Sequence, residues 1–143
     1  MRISLLIAAL AVSLVAATGC STAPALETGL RAAAAEGENF ALSSIDSADG
    51  DAFLVVCPYE SKESVSDRLG FAWTSAPDYA QSDDRQTVAI IGDGAVTSQA
   101  ELARTEVDFC GSEPWELLPL ETELTVTRAD GVASVSPAEL VER

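Results

Sequence analysis

The chain has 143 residues, of which 48% are apolar and 22% charged, so it can form one folded domain and is too apolar to be wholly disordered. Its 23 acidic and 8 basic side chains give a net charge of −15, and a surface this negative repels phosphate backbones and argues against nucleic acid as a partner. The chain has no histidine, which excludes Ser-His and Cys-His catalysis, histidine-ligated zinc and histidine-based pH switching.

The N-terminal segment has the layout of an export signal. Arg2 supplies one positive charge, and a mostly apolar run follows from Ile3 to Ala17. This run is shorter than the roughly 20 residues that a stable transmembrane helix needs. We therefore expect residues 1–19 to be a removable signal peptide, with a single transmembrane anchor as the alternative.

The signal ends in Ala17-Thr18-Gly19-Cys20, which resembles the lipobox of bacterial lipoproteins, with alanine at position 17 where leucine is more usual. The resemblance implies that the Cys20 sulfur is diacylglycerated and that the preceding peptide is cleaved. It also implies a lipid anchor on the extracytoplasmic face of the cell membrane. Ordinary cleavage after Ala17 or after Ala25 is the alternative.

The composition carries a second resemblance. With its signal, its lipobox, its bias toward alanine and arginine and a single lysine, Lys62, the chain resembles the small uncharacterised lipoproteins of high-GC Gram-positive bacteria. A Gram-negative envelope is the alternative. The resemblance implies a processing route and a location, not an activity.

Residues 20–37 are rich in small side chains and are expected to tether the lipid to a domain formed by residues 38–143. Leu26, Leu30 and Ala33 have helical spacing, so a short helix can form there. Gly29 and the lack of bulky residues argue against this helix packing well.

The domain opens with a strand and a helix. Residues 52–57 form a compact apolar, β-branched run that Pro58 ends, which predicts a buried strand. Ser61 then has the position of a helix N-cap, and Gly70 that of the C-terminal stop. Residues 71–73 are expected to return to the core, and residues 74–85 to form a polar loop.

The second half reads mainly as hairpins. Residues 87–91 predict a strand, which turns at Gly92-Asp93-Gly94 and pairs with residues 95–97. Ser98 and Glu101 have the spacing of a capping box, which predicts one or two helical turns through Arg104. The alternation around Val107 and Phe109 predicts a half-buried strand.

The chain closes with a predicted hairpin of residues 123–128 and 132–136, followed by a short helix from Ser136. Strands outnumber helices and short turns link them. The expected fold class is therefore α+β, with a mostly antiparallel sheet and one or two helices in a single domain. An all-β barrel or sandwich is the alternative.

Cysteine parity predicts one disulfide. With Cys20 acylated, Cys57 and Cys110 remain and can pair in an oxidising compartment. The sequence Cys57-Pro58-Tyr59 after a strand invites comparison with glutaredoxin, but Glu60 stands where the resolving cysteine would be, and a carboxylate raises a neighbouring thiol pKa. We therefore expect a structural bridge and not a redox site.

No motif for a metal or cofactor is found. Counting Asp46 as the first position of an EF-hand loop puts Ala48 third and Cys57 twelfth, so the calcium motif fails and residues 46–51 are expected to be a solvated turn. Walker and dinucleotide-binding glycine motifs are missing from the sequence. The largest aromatic side chains are expected to be buried in the core: Phe53, Trp73, Phe109 and Trp115.

These patterns assign no catalytic residue and no cofactor. The expected function is a membrane-anchored, non-catalytic binding module, whose acidic surface meets a basic protein or a cationic ligand and no nucleic acid. The alternative is an extracytoplasmic enzyme that uses carboxylates. A concave pocket with several converging, partly buried carboxylates would favour the enzyme, and an exposed apolar patch without perturbed acids would favour the binding module.

Overall fold

The computed structural model describes residues 24–111 and 115–138. Cys20 and the signal segment lie outside these residues. The helices are α1 (Pro24–Glu36) and α2 (Lys62–Leu69), with a 3₁₀ turn at Leu42–Ser44. The strands are β1 (Ala52–Val56), β2 (Arg85–Gly92), β3 (Ala95–Ala103), β4 (Val107–Asp108), β5 (Leu118–Pro119), β6 (Leu124–Ala129) and β7 (Val132–Pro137).

The strands form two sheets. The larger is antiparallel, in the order β3-β2-β1-β5, and the smaller has the order β4-β7-β6, with β4 parallel to β7. This arrangement, with two helices and one disulfide in a single domain, confirms the α+β class and the mostly antiparallel sheet. Within the described residues, no helix has both the length and the apolar character needed to cross a bilayer.

Strand β1 lies in the middle of the larger sheet and is covered on both faces, which explains its continuous apolar run. Phe53 and Val55 face the main core, shared with α1 and the smaller sheet. Leu54 and Val56 face a second core, formed with α2 and the segment that follows it. The sheet is therefore the middle layer of the fold.

Helix α1 corrects the expected domain boundary. Residues 24–36 were expected to belong to a tether, but they form a helix that packs against β3 and β7. Leu26, Leu30 and Ala34 are fully buried in the main core. The folded unit therefore includes α1 as well as the residues from 38 onward.

Gly29 explains why this helix packs after all. A β-carbon at Gly29 would lie only 2.5 Å from Cγ2 of Ile45, so the missing side chain lets the helix approach the following segment closely. The glycine that argued against packing is the residue that permits it.

Strand β3 contains the second correction. Residues 98–104 were expected to form one or two helical turns, but residues 98–103 continue β3 in an unbroken ladder with β2, from Ile90↔Ser98 to Arg85↔Ala103. The ladder gives the backbone a hydrogen-bonded partner along its whole length. Tertiary pairing therefore prevails over the local capping pattern.

Local signals elsewhere are confirmed. The Ser61 hydroxyl accepts from the Ser64 amide at the start of α2, and Gly70 ends it in the left-handed conformation. The β6–β7 turn has positive φ at Asp130 and Gly131, as a tight hairpin requires. Ser136, expected to start a helix, lies in β7, and residues 139–143 lie outside the described residues.

Candidate functional site

The structure confirms the Cys57–Cys110 disulfide. Cys57 directly follows β1 and Cys110 lies two residues after β4, with their α-carbons 5.6 Å apart. The bridge therefore joins the larger sheet to the smaller one. Cys20, the predicted lipidation site, lies outside the described residues.

Glu60, at the position of a glutaredoxin resolving cysteine, has a structural role. Its carboxylate accepts from the Cys57 amide at 2.6 Å and from the Arg68 guanidinium at 2.7 Å. Arg68 also donates to the carbonyls of Val55 and Trp115, which belong to separate segments. These contacts hold α2 against the end of β1 beside the disulfide.

The four large aromatic residues lie in the core, as predicted. The ring of Trp115 lies 5.9 Å from both Phe53 and Phe109, and its indole N–H donates to the Phe109 carbonyl. Trp73 is buried in the second core. None of them offers a free face for stacking against a ligand.

Among the residues that the structure describes, two concave surfaces bear on function. The larger, about 710 Å³, is a groove along α1 and the 3₁₀ turn, and small side chains such as Ala32 and Ala33 line most of it. The smaller, about 280 Å³, lies between the loop after Trp73 and the polar face of β2 and β3. Its lining residues are Ser75, Pro77, Thr87, Gln99 and Glu101.

The smaller cavity is where polar side chains from separate elements converge, so we treat it as the candidate site. Thr87 on β2 lies opposite Glu101 on β3 in the ladder, and Gln99 lies two residues before Glu101 on the same face. Tyr79 reaches this face from the loop. Register and loop packing together build the site.

The hydrogen bonds of the site form a chain of donors that ends at the Glu101 carboxylate. The Tyr79 hydroxyl donates to Glu101 Oε2 at 2.9 Å and lies 2.8 Å from the Thr87 hydroxyl. Because the single Tyr79 proton goes to the carboxylate, Thr87 donates to Tyr79. Arg85 donates to the other Glu101 oxygen.

The electrostatics follow from these contacts. Burial raises the pKa of Tyr79 to about 12, and its interaction with Glu101 adds to the shift while Thr87 opposes it. The hydrogen bond to Glu101, followed by the charges of Glu101 and Asp84, raises the pKa of Arg85. The site therefore keeps a neutral phenol and a charged guanidinium beside one carboxylate.

One hydrogen-bond acceptor of the Gln99 side chain has no donor. Its Oε1 atom is buried and has no hydrogen-bond partner. A buried acceptor without a donor costs about 1–3 kcal/mol, so such an atom calls for a donor that protein groups do not provide.

Sequence reasoning missed this site because Glu101 was assigned to a helix start and residues 74–85 to a loop. A usable signal was present, since Gln99 and Glu101 alternate with apolar Ala100 and Leu102. This period of two is typical of a strand with one polar face. The convergence of Tyr79 on that face had no sequence signal.

The acidic turn at residues 46–51 offers its carboxylates to solvent, since Asp46, Asp49 and Asp51 are all exposed. In residues 24–111 and 115–138, no group of three or more histidine, cysteine, aspartate or glutamate side chains is placed to hold a metal ion.

Comparison with protein-family models, with curated proteins and with solved structures gives no match to this chain.

Proposed function

We propose that the chain is a lipid-anchored extracytoplasmic binding module whose acidic surface binds a basic protein or a cationic ligand. The supporting observation is that the described arginine side chains bind carboxylates or carbonyl groups of the protein itself. Each arginine in the described residues is engaged within the protein, so its acidic groups face solvent with little positive charge between them.

Four arginines pair with carboxylates: Arg31 with Glu27 and Glu106, Arg68 with Glu60, Arg85 with Glu101, and Arg104 with Asp108. Arg128 instead donates to the carbonyls of Ala34 and Ala35 at 2.7 Å, at the C-terminal end of α1.

Many exposed carboxylates have no basic partner among the described residues. Three of them lie at one end of the larger sheet, where Gly50 and Gly92 approach each other closely: Asp49, Asp51 and Asp93. Unpaired charges of one sign attract an oppositely charged partner and speed its association.

The alternative, an enzyme that uses carboxylates, needs acidic groups in contrasting environments. Among the described residues the half-buried carboxylates are Glu27, Glu60 and Asp108, and each binds an arginine. This geometry favours no acid–base pair, so we propose the binding module alone.

The anchor fits the start of the fold. Only Ser21, Thr22 and Ala23 separate Cys20 from α1. An extended chain of this length reaches roughly 14 Å, so a lipid on Cys20 would hold the domain close to the membrane. The disulfide also suits an oxidising extracytoplasmic compartment.

Anchoring is tested by labelling cells with radioactive fatty acid. We expect label in the wild-type protein and none in Cys20→Ala, while Ser21→Ala, the neighbouring control, keeps the label. Equal labelling of wild type and Cys20→Ala would contradict the anchor.

Cation binding is tested by calorimetry with an oligolysine peptide. We expect binding that weakens as salt is added, and further loss when Asp49, Asp51 and Asp93 are changed together to asparagine. Changing Glu36, Glu38 and Asp130 to their amides is the control with the same change in charge. Failure of wild type to bind at physiological ionic strength would overturn the proposal.

A further inference from the structure

We propose that the cavity lined by Thr87, Gln99 and Glu101 binds a primary ammonium group carried on an aliphatic chain. This inference rests on the proposed function, since it names the site and the chemical class of one cationic ligand. A free small amine and the lysine side chain of a partner share this chemistry.

The unused hydrogen-bonding atoms of the cavity are acceptors, so they favour a ligand that donates hydrogen bonds. The protons of Tyr79 and Thr87 are already committed, to Glu101 and to Tyr79. The buried Gln99 Oε1 has no donor, and the Thr87 and Glu101 oxygens keep unused lone pairs. A primary ammonium brings three donors and no acceptor, which complements this set.

The geometry favours an ammonium over a planar guanidinium. The acceptors come from two strands, with Thr87 opposite Glu101 and diagonal to Gln99 in the ladder. They therefore form a triangle on one face of the sheet instead of a straight row. Donors arranged tetrahedrally suit such a site better than a rigid fork.

The charge balance also favours a cation. Arg85 is the basic group at the site, and Glu101 and Asp84 both lie beside it, with Asp84 at 3.9 Å. The cluster of these three residues keeps one net negative charge. Pro77 adds an apolar wall that an alkyl chain can cover.

The experiment follows n-butylammonium binding to the exported protein in neutral detergent, by calorimetry and by NMR shifts of the Gln99 side-chain amide. Tetramethylammonium has the same charge without N–H donors, and n-butanol has the alkyl chain without the charge. We expect n-butylammonium to bind and shift Gln99, and the other two compounds to leave it unchanged.

Two substitutions test the site. Glu101→Gln, at an exposed side chain, should weaken n-butylammonium binding about tenfold or more, the scale of one charge-assisted hydrogen bond. Gln99→Glu should strengthen it severalfold, since it replaces the unpaired oxygen with a carboxylate. Glu38→Gln and Gln81→Glu make the same charge changes at exposed positions and should change binding less than about twofold.

A lysine-containing tripeptide separates the two sources. If it shifts Gln99 and competes with n-butylammonium, a partner's lysine can occupy the cavity, and if it does neither, the ligand is a free amine. The inference is overturned if n-butylammonium does not bind, if tetramethylammonium binds equally, or if Glu101→Gln and Glu38→Gln have equal effects. If oligolysine still binds in any of these cases, the acidic surface binds cations outside the cavity. The proposed function then stands although the inference about the cavity fails.

Discussion

Gln86 shows how a single polar side chain can join two sheets. It is fully buried on β2, where its amide nitrogen donates to the Val107 carbonyl and its oxygen accepts from the Phe109 amide at 2.9 Å. Both partners belong to the backbone at β4, so Gln86 satisfies two groups that water cannot reach.

We expect Gln86→Met to lower the free energy of unfolding by about 2–3 kcal/mol, because it keeps the volume and leaves a buried carbonyl and amide without partners. Denaturant unfolding measures this loss. The exposed Gln81→Met serves as the control and should change stability by less than about 0.5 kcal/mol. Equal effects at the two positions would contradict the role of Gln86.

Tyr79 makes stability depend on high pH. Its pKa is raised from 10.0 to about 12 in the folded protein, so the folded state keeps a proton that the unfolded state releases first. Stability from this group is complete below about pH 10 and is lost as the pH rises to about 12, up to about 2–3 kcal/mol.

We expect the fall in unfolding free energy between these pH values to be smaller in Tyr79→Phe than in wild type. Chemical denaturation at the two pH values measures the difference. In Tyr59→Phe, which leaves Tyr79 as the sole tyrosine, the fall should persist and tyrosinate absorbance should report the raised pKa. If the unfolding free energy of Tyr79→Phe falls as much as that of wild type, another group causes the pH dependence.

At the scale of elements, α1 is held by a close helix-to-loop contact. Gly29 faces Ile45, and any β-carbon there would collide with the isoleucine methyl group. Alanine usually stabilises a helix relative to glycine. At position 29 the added methyl group would instead destabilise the folded protein, because it would overlap Ile45.

We expect Gly29→Ala to lower the free energy of unfolding by about 1–2 kcal/mol, despite a gain of about 1 kcal/mol in helix propensity. In an Ile45→Ala background the obstacle is gone, and the same change should become neutral or stabilising. Thermal unfolding of the four proteins completes the cycle. Equal destabilisation in both backgrounds would show that the contact is not responsible.

At the scale of the whole molecule, the disulfide links the two sheets across 53 positions of the chain. A crosslink of this span restricts the unfolded chain and stabilises the fold by about 4 kcal/mol in the chain-entropy model. Removing the disulfide should therefore cost a large part of the net stability of a small domain.

We expect the double substitution Cys57→Ser with Cys110→Ser to lower the unfolding free energy by about 4 kcal/mol. Reductant should destabilise wild type by a similar amount and leave the double variant unchanged. Unfolding curves with and without reductant measure both effects. No response of wild type to reductant would contradict a stabilising bridge.

The sequence and the structure agree where local chemistry decides. Strand β1, helix α2 with its Ser61 and Gly70 caps, and the β6–β7 hairpin depend on runs and turn residues that are read directly along the chain. The disulfide was predictable by counting cysteines. Lipidation at Cys20 and cation binding stay predictions.

The disagreements arise where distant partners decide. The Ser98–Glu101 capping pattern favours a helix, but the β2 ladder supplies a partner for every residue of β3 from Ser98 to Ala103. The cavity depends on this outcome, because a strand and not a helix places Gln99 and Glu101 on one face. The approach of Tyr79 adds a contact between separate segments that periodicity does not encode.

The amino-acid sequence by itself determined the strong negative charge, the cysteine pair and the capped or hairpin elements, since these depend on composition and on neighbouring residues. Only the tertiary structure decided that α1 belongs to the core, that β3 runs to Ala103 and that Gln99, with its unpaired acceptor, lines a polar cavity. Each of these depends on space and hydrogen bonds supplied by residues far away in the chain. Their energies appear only when the elements pack together.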